Sequence, residues 1–220
     1  METLPPDATL DEIRAALGRD LAANAAFDGW TMAAVEAAAA THGVDPDVAR
    51  LAFPGGAIDL IATWFEAIDR AMIAAVPDDM LATMKIRDRI AKQVEARLAA
   101  LAPDREALRR ALAILARPQH ALRAARMGWH AADLMWRRAG DTATDYNHYT
   151  KRTILTGVYT STITVFLDDE SEGFAETRAF LARRIEGILR FEKAKAQWLG
   201  QRERLPSLSR FIGRLRYPAR

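Results

Sequence analysis

The side chains that could do chemistry in this chain are few and scattered. There are four histidines, His42, His120, His130 and His148, and none stands four residues from another. A di-iron helical bundle takes two Glu-x-x-His repeats. The nearest match is a single Asp145-x-x-His148, half a site. No metal and no other cofactor is therefore expected. Cysteine is absent, which removes thiolate ligands, disulfides and a thiol nucleophile. None of the four serines sits in a G-x-S-x-G elbow, and Gly55-Gly56 after Pro54 reads as a turn, not a phosphate loop. No catalytic residue can be assigned, and the chain is read as a non-enzyme.

What does stand out is a stripe. Asp145, His148, Tyr149 and Arg152 recur at i, i+3, i+4 and i+7, one face of a helix. The spacing predicts that helix over Thr144 to Asp168, with Thr144 or Asp145 as its cap. The stripe combines both charge signs with an imidazole and a phenol. With Met135 of the preceding helix beside it, it suits a protein interface with aromatic anchors. A buried polar network bracing the two helices is the competing reading. Further along, Leu155, Val158, Tyr159, Thr162, Ile163 and Phe166 read as core.

The elements that must position these residues are all helical. Alternating β-branched runs are absent, and Ala, Leu, Arg and Glu dominate. Nine or ten helices are expected in an all-α chain. The first runs from about Thr9 to Asn24, followed by a turn at Phe27 to Trp30. The second spans about Met32 to His42 and ends at Gly43. Asp45 caps and Pro46 opens the third, which stops at Phe53 to Gly56. The fourth covers Ala57 to Ala75. The fifth runs from about Asp79 to Ala100, where Lys85, Arg87, Asp88, Arg89, Lys92, Glu95 and Arg97 read as a solvated face. Pro103 opens the sixth. The seventh spans Gln119 to Ala139 and closes at Gly140. After the stripe-bearing helix, a last long one runs from about Glu172 to Leu199.

Charge is unevenly spread. Residues 1–60 hold three Arg against ten Asp or Glu, a net charge of −7, while residues 183–220 carry +8. In the final stretch, Leu208, Phe211, Ile212 and Leu215 make one apolar stripe, with Arg210, Arg214 and Arg216 away from it or at its flank. That pattern fits a helix lying in a membrane interface over anionic headgroups. No run of eighteen apolar residues occurs, so no bilayer span is expected. The first residues lack secretory or transit character. The expectation is a cytoplasmic protein, peripheral on the inner face of a bacterial cytoplasmic membrane.

The first four helices resemble the N-terminal part of TetR-type repressors, with a helix-turn-helix followed by an aromatic-Pro loop. DNA binding is disfavoured nonetheless. The would-be recognition helix offers Arg50 alone to a base edge, with Asp45 and Asp47 beside it, and a segment of charge −7 cannot neutralise phosphates. Three parts follow from this reading: a helix-turn-helix-like part at 1–56, a helical bundle at 57–200 and an amphipathic tail at 201–220.

The run Asp145, Asn147, Tyr149, Thr150, Lys151 and Arg152, with Leu155, Val158-Tyr159 and Leu167-Asp168, resembles the signature of a ubiquinone-biosynthesis accessory family, the ninth of the Coq proteins. Met135-Trp136 and Ala139-Gly140-Asp141 fit the same pattern. At His148 the chain departs from it, because many relatives carry Trp there. The resemblance implies a TetR-like fold and a lipid-binding, non-enzymatic role. It implies presentation of an isoprenoid lipid or quinone precursor from the membrane surface to the di-iron demethoxyubiquinone hydroxylase. Met135, Asp145, His148, Tyr149 and Arg152 would dock that partner. Trp64, Phe65, Ile68, Met72, Leu112, Leu115, Leu155 and Tyr159 would line the lipid cavity and hold part of the isoprenoid tail. Leu208, Arg210, Phe211, Ile212, Arg214, Leu215 and Arg216 would meet the membrane. A homodimer through the last two long helices is expected by likeness to TetR proteins. The alternative function is a TetR-type transcriptional regulator that senses a lipid.

Overall fold

A computed structural model describes residues 4, 5, 7–142 and 146–188. Among them there is no strand. The α-helices are α1 (Leu10–Leu17), α2 (Leu21–Asp28), α3 (Met32–His42), α4 (Pro46–Ala52), α5 (Ala57–Ala75), α6 (Asp78–Ala82), α7 (Ile86–Leu101), α8 (Arg105–Leu115), α9 (Ala121–Arg138) and α10 (Tyr146–Asp168). Residues 175–188 form a further helix, α11.

The starts of several helices follow directly from local chemistry. Thr9 and Glu12 form a reciprocal capping box on α1. Asp45 accepts hydrogen bonds from the backbone N–H groups of Asp47 and Val48, and Pro46 opens α4, as its fixed φ and missing donor favour. Gly43 closes α3 in the left-handed region at φ 67°, where a Cβ would be strained. The α3–turn–α4 unit meets α5 at a bend of 88° between α4 and α5.

Three expected helices differ in the structure. The first is two helices, broken at 18–20. A Cβ on Gly18 would stand 3.1 Å from the Thr63 side chain, so the end of α1 rests on α5 at glycine distance. The fifth is also two, α6 and α7. Arg89 occupies the carbonyls freed at that break, donating to Met84 at 2.9 Å and Ala82 at 3.3 Å, and ties them to Ala139 at 2.9 Å. Arg97 is likewise not on a solvated face, being 2% exposed. It stands at i+7 from Ile90 and i+3 from Val94, on the apolar stripe of α7. The last expected helix begins later than Glu172, because Gly173 (φ 58°) and Phe174 (φ 56°) are left-handed. The Phe174 ring is seated 4.9 Å from Phe166, under Arg105.

The core runs without interruption from the helix-turn-helix part into the bundle. Trp30 packs against Trp64 with tilted rings, centroids 5.2 Å apart, and donates its indole N–H to the Ala107 carbonyl at 3.1 Å. Arg14 donates to the Ala52 carbonyl at 2.7 Å and to the Thr63 hydroxyl at 2.9 Å. Beyond these ties α5 packs on α7, and α10 lies along α9. No single described helix is long and apolar enough to cross a membrane.

Candidate functional site

The stripe on α10 divides between inside and outside. Arg152 is 1% exposed. Its Nε donates to Asp133 of α9 at 2.5 Å, and its Nη1 donates to Asp141 at 3.0 Å and to the His148 carbonyl at 3.1 Å. Lys151 reaches the other oxygen of Asp141 at 2.6 Å, and Arg137 pairs with the other oxygen of Asp133. Burial pushes both aspartate pKa values up, but at Asp133 the bonds from Arg152 and Arg137 outweigh it, and at Asp141 those from Lys151 and Arg152 do. Both carboxyls end below their ordinary value. Three cations around two carboxylates, with the His148 carbonyl as a further acceptor, satisfy the buried guanidinium and its partners. This is the bracing network, and it clamps α10 to α9 and to the 139–142 turn.

Arg152 and Met135 are consequently not surface residues. Met135 is fully buried, and its carbonyl accepts the Gln93 amide at 3.0 Å. Asp145 lies outside the described residues. Tyr149 points outward at 61% exposure. Its ring is 5.1 Å from that of half-buried His148 and 6.0 Å from that of Trp129 on α9. Trp129, His148 and Tyr149 make an aromatic corner on the α9–α10 surface. The i+3, i+4 pattern of the stripe located this face, but Trp129 is on another helix and only the packing brings it there.

Two apolar clefts flank α10. The first, about 340 Å³, is lined by Phe65, Leu112, Leu115 and Tyr159 together with Met127 and Ile163. Arg97 closes one wall, its Nε donating to the Tyr159 hydroxyl at 3.0 Å. Arg97 also pairs with Asp69, whose other oxygen is 3.8 Å from His130 Nε2. The second cleft, about 350 Å³, lies between the start of α7, Trp136, α10 and α11 and takes in Leu155. Of the expected cavity residues, four line the first cleft and Leu155 the second. Trp64, Ile68 and Met72 line neither and are packed in the core. Arg97 and Asp69 were not anticipated. The available signal was a charge set within the apolar stripes of α5 and α7.

No group of three or more His, Asp or Glu among the described residues could hold a metal ion. The expected membrane-facing residues, Leu208 through Arg216, lie outside the described residues.

Comparison with known proteins places these features. A family model described as COQ9 matches residues 121–192. The chain is similar to the mitochondrial ubiquinone biosynthesis protein COQ9 of Rattus norvegicus, 41% identical over 96 residues, 44% of this chain and 31% of that protein. The Homo sapiens protein of the same name is 38% identical over 96 residues, 30% of its length. Similarity to the Drosophila melanogaster protein extends over 203 residues at 27% identity, covering 88% of this chain and 60% of that one. The matches to the rat and human proteins thus span about a third of those proteins. Among solved structures, a TetR transcriptional regulator from Nitrosomonas europaea ATCC 19718 superposes with a TM-score of 0.63 at 23% identity, over 79% of this chain and 96% of that one. Residues 121–192, which carry the Arg152 network, the aromatic corner and two sides of the first cleft, therefore match the COQ9 family model, on a chain with a TetR-like fold.

Proposed function

We propose that the chain is a non-enzymatic, lipid-binding accessory protein of ubiquinone biosynthesis that presents an isoprenoid quinone precursor to a hydroxylase. The observation that carries this is the position of the first cleft. Ala124, Met127, Gly128 and Ala131 of α9 and Tyr159, Thr160, Ile163 and Thr164 of α10 line it, all within the COQ9-matched stretch. At about 340 Å³ it has the size of a small-ligand site and takes part of a long-chain lipid. In this reading the aromatic corner of Trp129, His148 and Tyr149 receives the hydroxylase, since exposed aromatic anchors are what protein interfaces use. The basic, amphipathic stretch 201–220 attaches the protein to a membrane face, and a second copy of the chain completes a dimer. The relatives named above are mitochondrial proteins.

The test is native mass spectrometry of protein purified from a membrane-containing lysate, with extraction and identification of co-purifying lipid. An isoprenoid quinone-type lipid is expected. Protein that is empty, and that stays empty when such lipid is added, contradicts the reading.

The fold itself favours a second reading, a lipid-sensing transcriptional regulator. The helix-turn-helix surface argues against it. Arg50 of α4 is held by Glu36 at 2.7 Å and Asp47 at 2.5 Å, while Val48 and Leu51 face outward. Such a surface offers phosphates no counter-charge.

A further inference from the structure

The wall of the first cleft holds one feature that an apolar tail does not use. Tyr159 is 5% exposed. Its hydroxyl accepts the Arg97 Nε–H at 3.0 Å, and its own proton reaches no acceptor among the described residues. A buried donor left unmade is costly, and more so in an apolar wall. The guanidinium also polarises the phenol, which makes it a stronger donor. The charge on Arg97 is already matched by Asp69, and Glu66, Arg126 and His130 line a neighbouring recess that meets the cleft at Phe65, Arg97 and Met127. An anionic headgroup in the cleft would compete with Asp69 for one cation, or stand as an unmatched buried charge. A neutral oxygen acceptor meets neither difficulty.

We propose that the Tyr159 hydroxyl donates a hydrogen bond to a carbonyl oxygen of the ligand, so that the cleft receives the ring of a quinone-type lipid rather than its hydrocarbon tail. This rests on the reading of the cleft as a lipid site, and it specifies which end of the lipid enters. Arg97 acts as a positioning residue, holding the phenol by its oxygen and leaving its proton directed at the ligand. Delivery to a partner then requires the ring to leave by the mouth it entered.

The experiment uses the full chain and three probes in equilibrium dialysis: a decyl-tailed dimethoxy-methyl-benzoquinone, decylbenzene and laurate. Infrared spectra of the bound quinone are recorded alongside. The quinone should bind more tightly than decylbenzene or laurate, and its carbonyl band should contain a component at lower frequency than in hydrocarbon solvent. Tyr159→Phe should weaken the quinone by about 5- to 10-fold, abolish the low-frequency component and leave decylbenzene unchanged. Equal binding of quinone and decylbenzene with no shifted carbonyl overturns the ring-first proposal while sparing the lipid site. Tighter binding of laurate overturns it in favour of an anion site. Failure of all three probes to bind removes the lipid reading itself. Should Tyr159→Phe not fold, an unshifted carbonyl in the wild-type complex is sufficient to overturn the proposal.

Discussion

Arg152 and Tyr149 lie three residues apart on one helix and do opposite things. Arg152 is shared between Asp133 and Asp141 inside the α9–α10 joint, and Tyr149 faces solvent beside Trp129. Truncating Arg152→Ala leaves two buried carboxylates without their common cation, and should cost about 3–5 kcal/mol in chemical denaturation. Tyr149→Ala should change stability by no more than about 0.5 kcal/mol. If the aromatic corner docks the hydroxylase, the same variant should lose the partner in a pull-down. A large fall in melting temperature for Tyr149→Ala would instead assign Tyr149 to the bracing network. Acid should act through the same joint. The folded values of Asp133 and Asp141 lie below the ordinary carboxylate value, about 3.9, so the unfolded chain takes up protons first. Their stabilisation is complete above about pH 5 and is lost as pH falls through 4 and below. A circular-dichroism titration should show this fall, and Asp133→Asn with Asp141→Asn should flatten it. The spacing Asp145, His148, Tyr149, Arg152 was legible as a helical stripe, but which members are buried was not. That depends on Asp133 and Asp141, which come from a different helix and a turn.

Helix existence was readable almost everywhere, and helix interruption was not. Caps and punctuators announced α3, α4, α5 and α9, because Asp45, Pro46, Gly43 and Gly140 act on their immediate neighbours. The breaks at 18–20 and 83–85 have tertiary causes, the approach of Gly18 to Thr63 and the capture of freed carbonyls by Arg89. The entry to α11 is a third case. Asp169, 2% exposed, accepts the N–H and hydroxyl of Ser171 at 2.9 and 2.5 Å and those of Thr177 at 2.8 and 2.6 Å. Burial raises its pKa, but the bonds from Ser171 and Thr177 outweigh it and hold the carboxyl far below the ordinary range. This junction fixes the direction in which α11 leaves α10. Asp169→Ala should cost about 1–2 kcal/mol, and hydrogen exchange should accelerate across 175–188 while α5 and α7 keep their protection. Unchanged exchange there would mean that α11 is held by its apolar face alone.

At the scale of the whole molecule, an all-α chain with a helix-turn-helix entrance was legible from composition and capping, and the TetR-like neighbour agrees. The cavity was only half legible. Phe65, Leu112, Leu115 and Tyr159 do line one cleft, whereas Trp64, Ile68 and Met72 are core. All are apolar residues on helix stripes, and periodicity gives no information on whether a stripe meets another helix or a gap. The acidic first 60 residues and the paired Arg50 lead to a plain expectation. The protein should not be retained on a DNA column even at low salt, where counterion release is strongest. Retention that weakens steeply with salt would restore the regulator reading.

The proposed function requires the cleft between α9 and α10 to hold a quinone-type lipid. The decisive measurement is stoichiometric uptake of a decyl-tailed benzoquinone by the intact chain and by Ala124→Trp, which places an indole among the cleft-lining residues. One quinone bound per chain in the wild type, and strongly reduced uptake in the filled variant with unchanged melting, is the expected result. Wild-type protein that takes up none, or a filled variant that binds as well as the wild type, would contradict it.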